Sequence, residues 1–110
     1  MHAFIICKYI LKRIDRKLST ELKKFVMWGS YCENVLEKRA PFRQVHLENI
    51  KDMYESGKLQ TIGPTQDLSK VFAIYVAPDI ESARQLVESD LYWQNGIWTD
   101  YEIHEWNQVY

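Results

Sequence analysis

The sequence predicts an α+β domain in which strands and helices follow the order β-α-β-β-α-β. Three observations support this prediction: a strand-like apolar run at 25–28, another at 71–76, and between them a helix-periodic segment that ends at a glycine. The chain has 110 residues, of which 46% are hydrophobic and 26% are charged, as expected for one globular domain. We therefore expect one antiparallel sheet with its helices packed against it.

The first half of the domain holds one strand and one main helix. Phe25–Trp28 places four apolar side chains in a row, of types that favour a pleated surface, and Gly29–Asn34 is typical of a turn. Helical spacing begins at Val35, and the main helix is expected to start near Ala40–Pro41, because proline is tolerated in the first helical turn. It ends at Ser56–Gly57, where the glycine supplies a left-handed cap.

The second half holds two strands, a helix, a loop and a closing strand. Their predicted bounds are Lys58–Ile62, Lys70–Ala77, Asp79–Asp90, Leu91–Trp98 and Thr99–Val109. The first of these strands stops at the breaker pair Gly63–Pro64. Asp79 is a good N-cap for the helix, and Asn95–Gly96 marks a turn inside the loop. The resulting order of elements is the ferredoxin-like arrangement.

The two strongest strands are apolar on both faces. Residues 25–28 and 71–76 do not alternate apolar with polar side chains, as strands with one solvated face do. The second face of the sheet must therefore be covered, either by an N-terminal helix folded over it or by a second copy packed sheet to sheet. We favour the second copy, which predicts a homodimer.

The N-terminal segment differs in charge from the rest of the chain. Residues 1–24 carry seven basic and two acidic side chains, against seven basic and thirteen acidic ones in 25–110. Apolar residues three and four apart form a helical stripe: Phe4, Cys7, Leu11, Ile14 and Leu18. Such a helix can lie on a membrane surface. We instead expect residues 1–22 to be a poorly ordered extension of a domain spanning 23–110, since no cleavage signature follows.

Composition and motifs argue against several functional classes. A net charge of −1 provides no basic field for nucleic acid. The two cysteines, Cys7 and Cys32, cannot form a disulfide framework and fit a reducing, cytoplasmic location. No zinc-type spacing, phosphate loop or covalent-hydrolase motif is present, so we expect neither a metal nor a cofactor. No apolar run approaches the roughly 20 residues of a membrane-spanning helix.

His46 is the first candidate functional residue. It lies in the middle of the main helix at the edge of the core-facing stripe, and Arg39 and Arg43 precede it by seven and three residues on roughly the same face. A histidine on such a face is more often a satisfied core residue, and the arginines could simply form a solvated helix edge. The functional interpretation is that the three side chains receive an anionic substrate.

Asp90 is the second candidate. It ends a predicted helix, where the macrodipole disfavours a carboxylate, so another group is expected to hold it. The alternative is that Asp90 caps the following turn through its side chain. Flat aromatic side chains follow in sequence: Tyr92, Trp93 and Trp98.

A set of short motifs runs from about Lys23 to the C-terminus, through four-fifths of the chain. They are Leu36-Glu37-Lys38-Arg39, Arg43-x-x-His46-Leu47, Gly57-x-Leu59, Thr61-Ile62-Gly63-Pro64, Asp90-x-Tyr92, Gly96 and Trp106. Together they resemble the YCII-related (YciI-like) family of the dimeric α+β barrel superfamily. The sequence departs from the family pattern at Leu91, which replaces a usual proline, and residues 1–22 have no counterpart.

The resemblance implies a ferredoxin-like domain that dimerises through its sheets, with an active-site pair that matches His46 and Asp90. Relatives include a dehydrochlorinase acting on a hydroxylated chloroaromatic, and the fold is similar to that of muconolactone isomerase. This implies lyase or isomerase chemistry, in which Asp90 orients the imidazole and His46 moves a proton of a small anionic or phenolic substrate. The predicted substrate-binding residues are Arg39, Arg43, Tyr92, Trp93 and Trp98.

A non-catalytic function remains open from the sequence. The chain could be a dimeric module that binds a metabolite or a protein partner. In that case His46 and Asp90 would only hold a polar pocket together. The two interpretations differ in whether the imidazole faces a concave pocket or is packed dry with both nitrogens satisfied.

Overall fold

A computed structural model describes residues 21–110, which form one antiparallel sheet of four strands together with four helices. The strands are β1 (Lys23–Tyr31), β2 (Leu59–Pro64), β3 (Lys70–Ala77) and β4 (Trp98–Trp106). The helices are α1 (Val35–Arg39), α2 (Arg43–Glu55), α3 (Ile80–Glu88) and α4 (Leu91–Gln94). The strand order in the sheet is β2-β3-β1-β4. The predicted α+β, ferredoxin-like fold is confirmed, with one short helix added beside each main helix.

One face of the sheet carries the core. Phe25 and Met27 of β1 are fully buried and lie opposite Tyr75 and Ala73 of β3, which are equally buried. The helices add further side chains to the same cluster: Val35, Ala83, Val87 and Tyr92. Ile50 and Met53 of α2 pack against this cluster. The core therefore lies between the sheet and one layer of helices.

The opposite face of the sheet is also apolar at its centre. Across β1 and β3, Val26 pairs with Ile74 and Trp28 pairs with Phe72, whose ring meets the indole edge-on at a centroid distance of 6.3 Å. Trp28 is 39% exposed and Phe72 is 37% exposed. Both faces of the central strands are thus apolar, as the absence of alternation in the sequence predicts.

Two strands run further than the sequence predicts. The turn predicted over Gly29–Asn34 is wrong at its start, because β1 continues to Tyr31. A Cβ on Gly29 would lie 2.8 Å from the Asp100 carbonyl oxygen, so this glycine permits close approach of β4 and does not turn the chain. Gly63–Pro64 does not stop β2 but belongs to it. Since β2 is an edge strand, the missing proline N–H costs no ladder bond.

Other element boundaries also differ from the prediction. The main helix begins at Arg43, after a turn that contains Pro41, and the sequence Leu91–Gln94 forms a helix where a loop was expected. The closing strand ends at Trp106, short of Val109. By contrast, Asp79 caps α3 as predicted, since its Oδ1 accepts the Ser82 N–H at 2.7 Å.

The predicted extension at 1–22 lies almost entirely outside the described residues. None of the helices within residues 21–110 has the length and apolar character needed to cross a membrane.

The tip of the β2–β3 hairpin is organised around one carboxylate. Asp67 Oδ1 accepts hydrogen bonds from the Ser69 hydroxyl at 2.7 Å, the Thr65 hydroxyl at 2.7 Å and the Ser69 backbone N–H at 3.0 Å. These bonds, those from Ser69 and Thr65 foremost, lower the pKa of Asp67 to about 2. The ionised form of the Asp67 side chain therefore stabilises the hairpin tip.

The hairpin tip should keep its order in mild acid and lose it only in strong acid. The pKa of Asp67 in the folded protein, about 2, lies below the roughly 3.9 of an unfolded aspartate. The stabilising contribution is thus fully present above about pH 4 and is lost as the pH falls through about 2. We expect the backbone amide resonance of Ser69 to titrate near the lower value in NMR spectra, and not to titrate in Asp67→Asn. A midpoint near pH 4 would contradict this assignment.

Candidate active site

His46 and Asp90 come together between α2 and the start of α4. Both are buried, with 5% and 3% of their surface exposed. His46 Nδ1 lies 2.7 Å from Asp90 Oδ1, although 44 residues separate them in the chain. Because a carboxylate oxygen accepts hydrogen bonds, Nδ1 is the donor in this contact, and Nε2 is the ring nitrogen that Asp90 does not engage.

Asp90 also shapes the backbone of the site. Its Oδ1 accepts a second hydrogen bond from the Tyr92 backbone N–H at 2.8 Å, which makes Asp90 the N-cap of α4. Asp90 directly follows the C-cap of α3, as the sequence predicts, and its backbone N–H donates to the Val87 carbonyl oxygen at 3.1 Å. The sequence left open whether Asp90 caps the following turn or is held by another group. The structure shows both, since Oδ1 accepts the Tyr92 N–H and the His46 Nδ1–H.

Aromatic rings fix the plane of the imidazole. The Tyr92 ring stacks on His46 with centroids 3.5 Å apart and an angle of 7° between the planes. Trp98 meets the edges of both rings, at 5.7 Å from His46 and 5.9 Å from Tyr92. Stacked on one face and hydrogen-bonded at Nδ1, the imidazole holds Nε2 in a set direction.

The imidazole forms part of the wall of a cavity of about 280 Å³ between α2 and the β2–β3 hairpin. Its apolar lining comes from Leu47, Ile50, Ile62, Gly63, Pro64 and Leu68, and its polar lining from Tyr31, Arg39, Arg43, His46 and Tyr92. Ligand pockets commonly start near 300 Å³, so this volume suits a small molecule. Clefts of larger volume, about 640 and 480 Å³, lie by the C-terminal residues and by α3. Neither is lined by His46 or Asp90.

Two arginines give the cavity a positive rim. Arg39 of α1 and Arg43 of α2 both line it. Within residues 21–110 neither guanidinium has a carboxylate at salt-bridge distance. Guanidinium groups bind carboxylates, phosphates and other oxyanions through several donors at once. The charge of the cavity therefore favours an anionic ligand.

A family model for the YCII-related domain matches residues 23–107. The chain belongs to the YCII-related family. Among solved structures, it is similar to 5-chloro-2-hydroxyhydroquinone dehydrochlorinase (TftG) from Burkholderia phenoliruptrix AC1100, in complex with 2,5-dihydroxybenzoquinone. The TM-score is 0.66 at 20% identity, covering 76% of this chain and 93% of that chain, which is a likeness of fold. A comparison with curated proteins finds no match.

The prediction from sequence motifs that the chain belongs to the YCII-related family is thus confirmed. The structure also locates the candidate site residues within the fold. His46, Arg39, Arg43 and Tyr92 line one cavity, and Asp90 lies against the imidazole. These side chains come from three different helices, and the fold of the YCII-related domain brings them to one place.

The two predicted tryptophans lie elsewhere. Trp98 is 1% exposed and stands behind the stacked His46 and Tyr92 rings, so it supports the cavity wall without lining it. Trp93 packs edge-on against Tyr101, at a centroid distance of 5.0 Å, and is not part of the lining either. Neither side chain makes the direct contribution to the cavity that its place in the sequence suggests.

Tyr31 is a polar cavity residue that sequence reasoning missed. The pairing of β1 with β4 shifts register between Ser30 and Tyr31, and such irregularities re-aim side chains. A tyrosine hydroxyl is protonated at neutral pH and can donate a hydrogen bond to a ligand oxygen, and burial raises the pKa of Tyr31 further above that range. A predicted end of β1 at Trp28 had placed this residue in a turn.

Several buried polar atoms around the pair have no hydrogen-bond partner among the described residues. They are Asp90 Oδ2, Tyr75 Oη, Tyr92 Oη and Trp98 Nε1. Buried polar groups in native proteins are usually hydrogen-bonded, either to protein or to ordered water. No three histidine, cysteine or acidic side chains converge in residues 21–110 as ligands of a metal ion would.

Asp90→Ala should destabilise the domain, because it leaves the His46 Nδ1–H and the Tyr92 N–H without an acceptor in a buried place. Each such donor costs about 1–3 kcal/mol, so we expect the free energy of unfolding to fall by about 2–6 kcal/mol in urea titrations. Asp79→Ala is the matched control, since it removes an exposed N-cap from α3 and should cost less. An equal or smaller loss for Asp90→Ala would contradict its role as a shared acceptor.

Proposed function

We propose that this YCII-related protein is a small-molecule enzyme in which His46 transfers a proton and Asp90 orients its ring. The observation that carries the proposal is the 2.7 Å hydrogen bond between His46 Nδ1 and Asp90 Oδ1 at the wall of a cavity. A histidine that is held at one nitrogen by a carboxylate and faces a pocket with the other is typical of general acid–base catalysis.

The proposed reaction begins with transfer of a substrate proton to His46 Nε2. The electron pair of the broken C–H bond then forms a double bond, and either a leaving group departs or the same imidazole returns the proton to another carbon. Asp90 stabilises the imidazolium that exists between these steps. A positioned base contributes about 10²–10⁴-fold in rate, which is sufficient where the substrate carbon is already acidic.

The lining of the cavity supports a small anionic or phenolic substrate. Arg39 and Arg43 would bind the negatively charged oxygen, and the apolar wall around Leu47 and Ile50 would receive the carbon skeleton. The structurally similar dehydrochlorinase was solved with 2,5-dihydroxybenzoquinone, a small flat molecule with ionisable hydroxyl groups. A molecule of that class matches the size and charge of this cavity.

The catalytic proposal is tested first by finding a ligand and then by substitution. A thermal-shift screen of small phenols and carboxylates, with 2,5-dihydroxybenzoquinone among them, identifies candidates, because a ligand of the folded state raises its stability. On a substrate so found, His46→Ala should abolish turnover and keep the fold, since alanine is the best helix former. Asp90→Asn should lower kcat, and the double variant should be little worse than His46→Ala.

The matched control for this series is Val45→Ala, which changes an exposed neighbour on α2 and should leave kcat/KM unchanged. Full activity of His46→Ala would overturn the proposal.

The alternative function is a non-catalytic binding module, and the near-complete burial of the imidazole is the observation that favours it. His46 is 5% exposed and packed on Tyr92. In a module, substitutions at His46 and Asp90 would lower stability, and ligand binding would fall only in proportion to the unfolded fraction. The same variants therefore separate the two functions.

We also propose that two copies of the chain form a homodimer through the open faces of their sheets. Trp28 and Phe72 are large aromatic side chains that stay more than one-third exposed at the centre of this face. Contiguous apolar surface of this kind marks an interaction site. A second copy would cover it with the same surface, which is the geometry of a two-fold interface.

The dimer should be visible by sedimentation equilibrium at micromolar concentration. Phe72→Asp should yield monomers, because it places a charge in the proposed interface, whereas Val45→Asp on the outer face of α2 should leave the dimer intact. A chain starting at Glu21 should behave like the full chain. If only the shortened chain dimerises, residues 1–20 cover the sheet instead, and a monomer in both cases would contradict the proposal.

A further inference from the structure

Leu68, at the tip of the β2–β3 hairpin, has a left-handed backbone with φ of 60°. This region is costly for residues with a Cβ and uncommon for a bulky side chain. Within residues 21–110 the other non-glycine residue with positive φ is Asn34, a type that tolerates it. Backbone strain of this kind persists where the surrounding structure imposes it, often beside functional sites.

The surroundings of Leu68 do impose its conformation. Asp67 Oδ1 binds Thr65 on one side of the tip and Ser69 on the other, and the Leu68 N–H donates to the Thr65 carbonyl oxygen at 2.9 Å. Ser69 is tied to the end of β1, since its carbonyl oxygen accepts the Tyr31 N–H at 2.9 Å. The backbone is therefore held on both sides of residue 68.

The side chain of Leu68 is directed inward by this arrangement. It is half-buried, packs against the core and lines the same cavity as His46. A glycine would adopt the required backbone without strain but would leave this part of the wall open. The sequence thus keeps a strained leucine where glycine would fit the backbone better.

We propose that Leu68 is a specificity-determining residue whose side chain limits the size of the molecules that reach His46 Nε2. The inference rests on the proposed function, which makes this cavity the substrate site. It adds that the cavity selects substrates by their size. Leu68 has no polar atom, so its contribution is steric. The proposal is supported by the place of Leu68 in the lining of the same cavity as His46.

Chemical modification of the imidazole tests the proposal without a substrate. Diethyl pyrocarbonate is a small electrophile and p-bromophenacyl bromide is a broad aromatic one, and each reacts with an unprotonated imidazole nitrogen. The rate at His46 is followed by peptide mass spectrometry and divided by the rate of N-acetylhistidine in the same solution. The ratio of these normalised rates for the two reagents measures size selection at Nε2.

The wild type should admit the small reagent in preference to the large one. Leu68→Gly and Leu68→Ala should raise the normalised rate of the large reagent several-fold, and that of the small reagent much less. Leu86→Ala is the matched control, because it truncates another half-buried leucine that packs on the core outside this cavity. Its size selection should equal that of the wild type.

Three outcomes would overturn the proposal: no size selection in the wild type, unchanged selection in both Leu68 variants, or an equal effect of Leu86→Ala. Each would remove Leu68 as a size filter and leave the proton-transfer proposal intact, since that proposal depends on the turnover of His46→Ala. Conversely, an active His46→Ala would remove the catalytic proposal and leave the measured filter standing.

Discussion

One carboxylate oxygen joins the elements from which the cavity wall is built. Asp90 Oδ1 accepts the side-chain N–H of His46 from α2 and the backbone N–H of Tyr92 from α4. The first bond sets the imidazole, and the second starts the helix whose Tyr92 ring lies flat against that imidazole. The position of α4, the ring stack and the direction of Nε2 consequently depend on the same acceptor, and none of them is fixed independently of the others.

The contribution of Asp90 to stability is therefore hard to separate from the catalytic role proposed for it. Asp90 caps a helix, and in the proposed enzyme it would orient the base through the same oxygen, so stability and function would share one hydrogen-bond acceptor. An apolar residue of similar volume would avoid the cost of burying a charge, but it would leave the imidazole without a partner.

The sequence predicts the elements with strong local signals. Lys70–Ala77 is correct at both ends, and Asp79 caps α3, because continuous apolar strands and N-cap residues act within a few positions. His46 and Asp90 were paired through family motifs, since 44 residues separate them and no local rule connects them. Two features were missed. Tyr31 faces the cavity through a shift in the pairing of β1 with β4, and Leu68 adopts its backbone within hydrogen bonds of a hairpin tip that is itself bonded to β1.

Gly29 in β1 affects the geometry of the cavity, although it lies outside the cavity lining. Any side chain at this position would meet the Asp100 carbonyl oxygen and the Val71 side chain, so β1 and β4 could not approach as they do. Two residues further along, the same strand pair places Tyr31 opposite Trp98. The first of these lines the cavity and the second backs its ring stack. The positions of Tyr31 and Trp98, and with them the shape of the cavity, thus depend on Gly29, a residue that contributes no side-chain atom to the cavity wall.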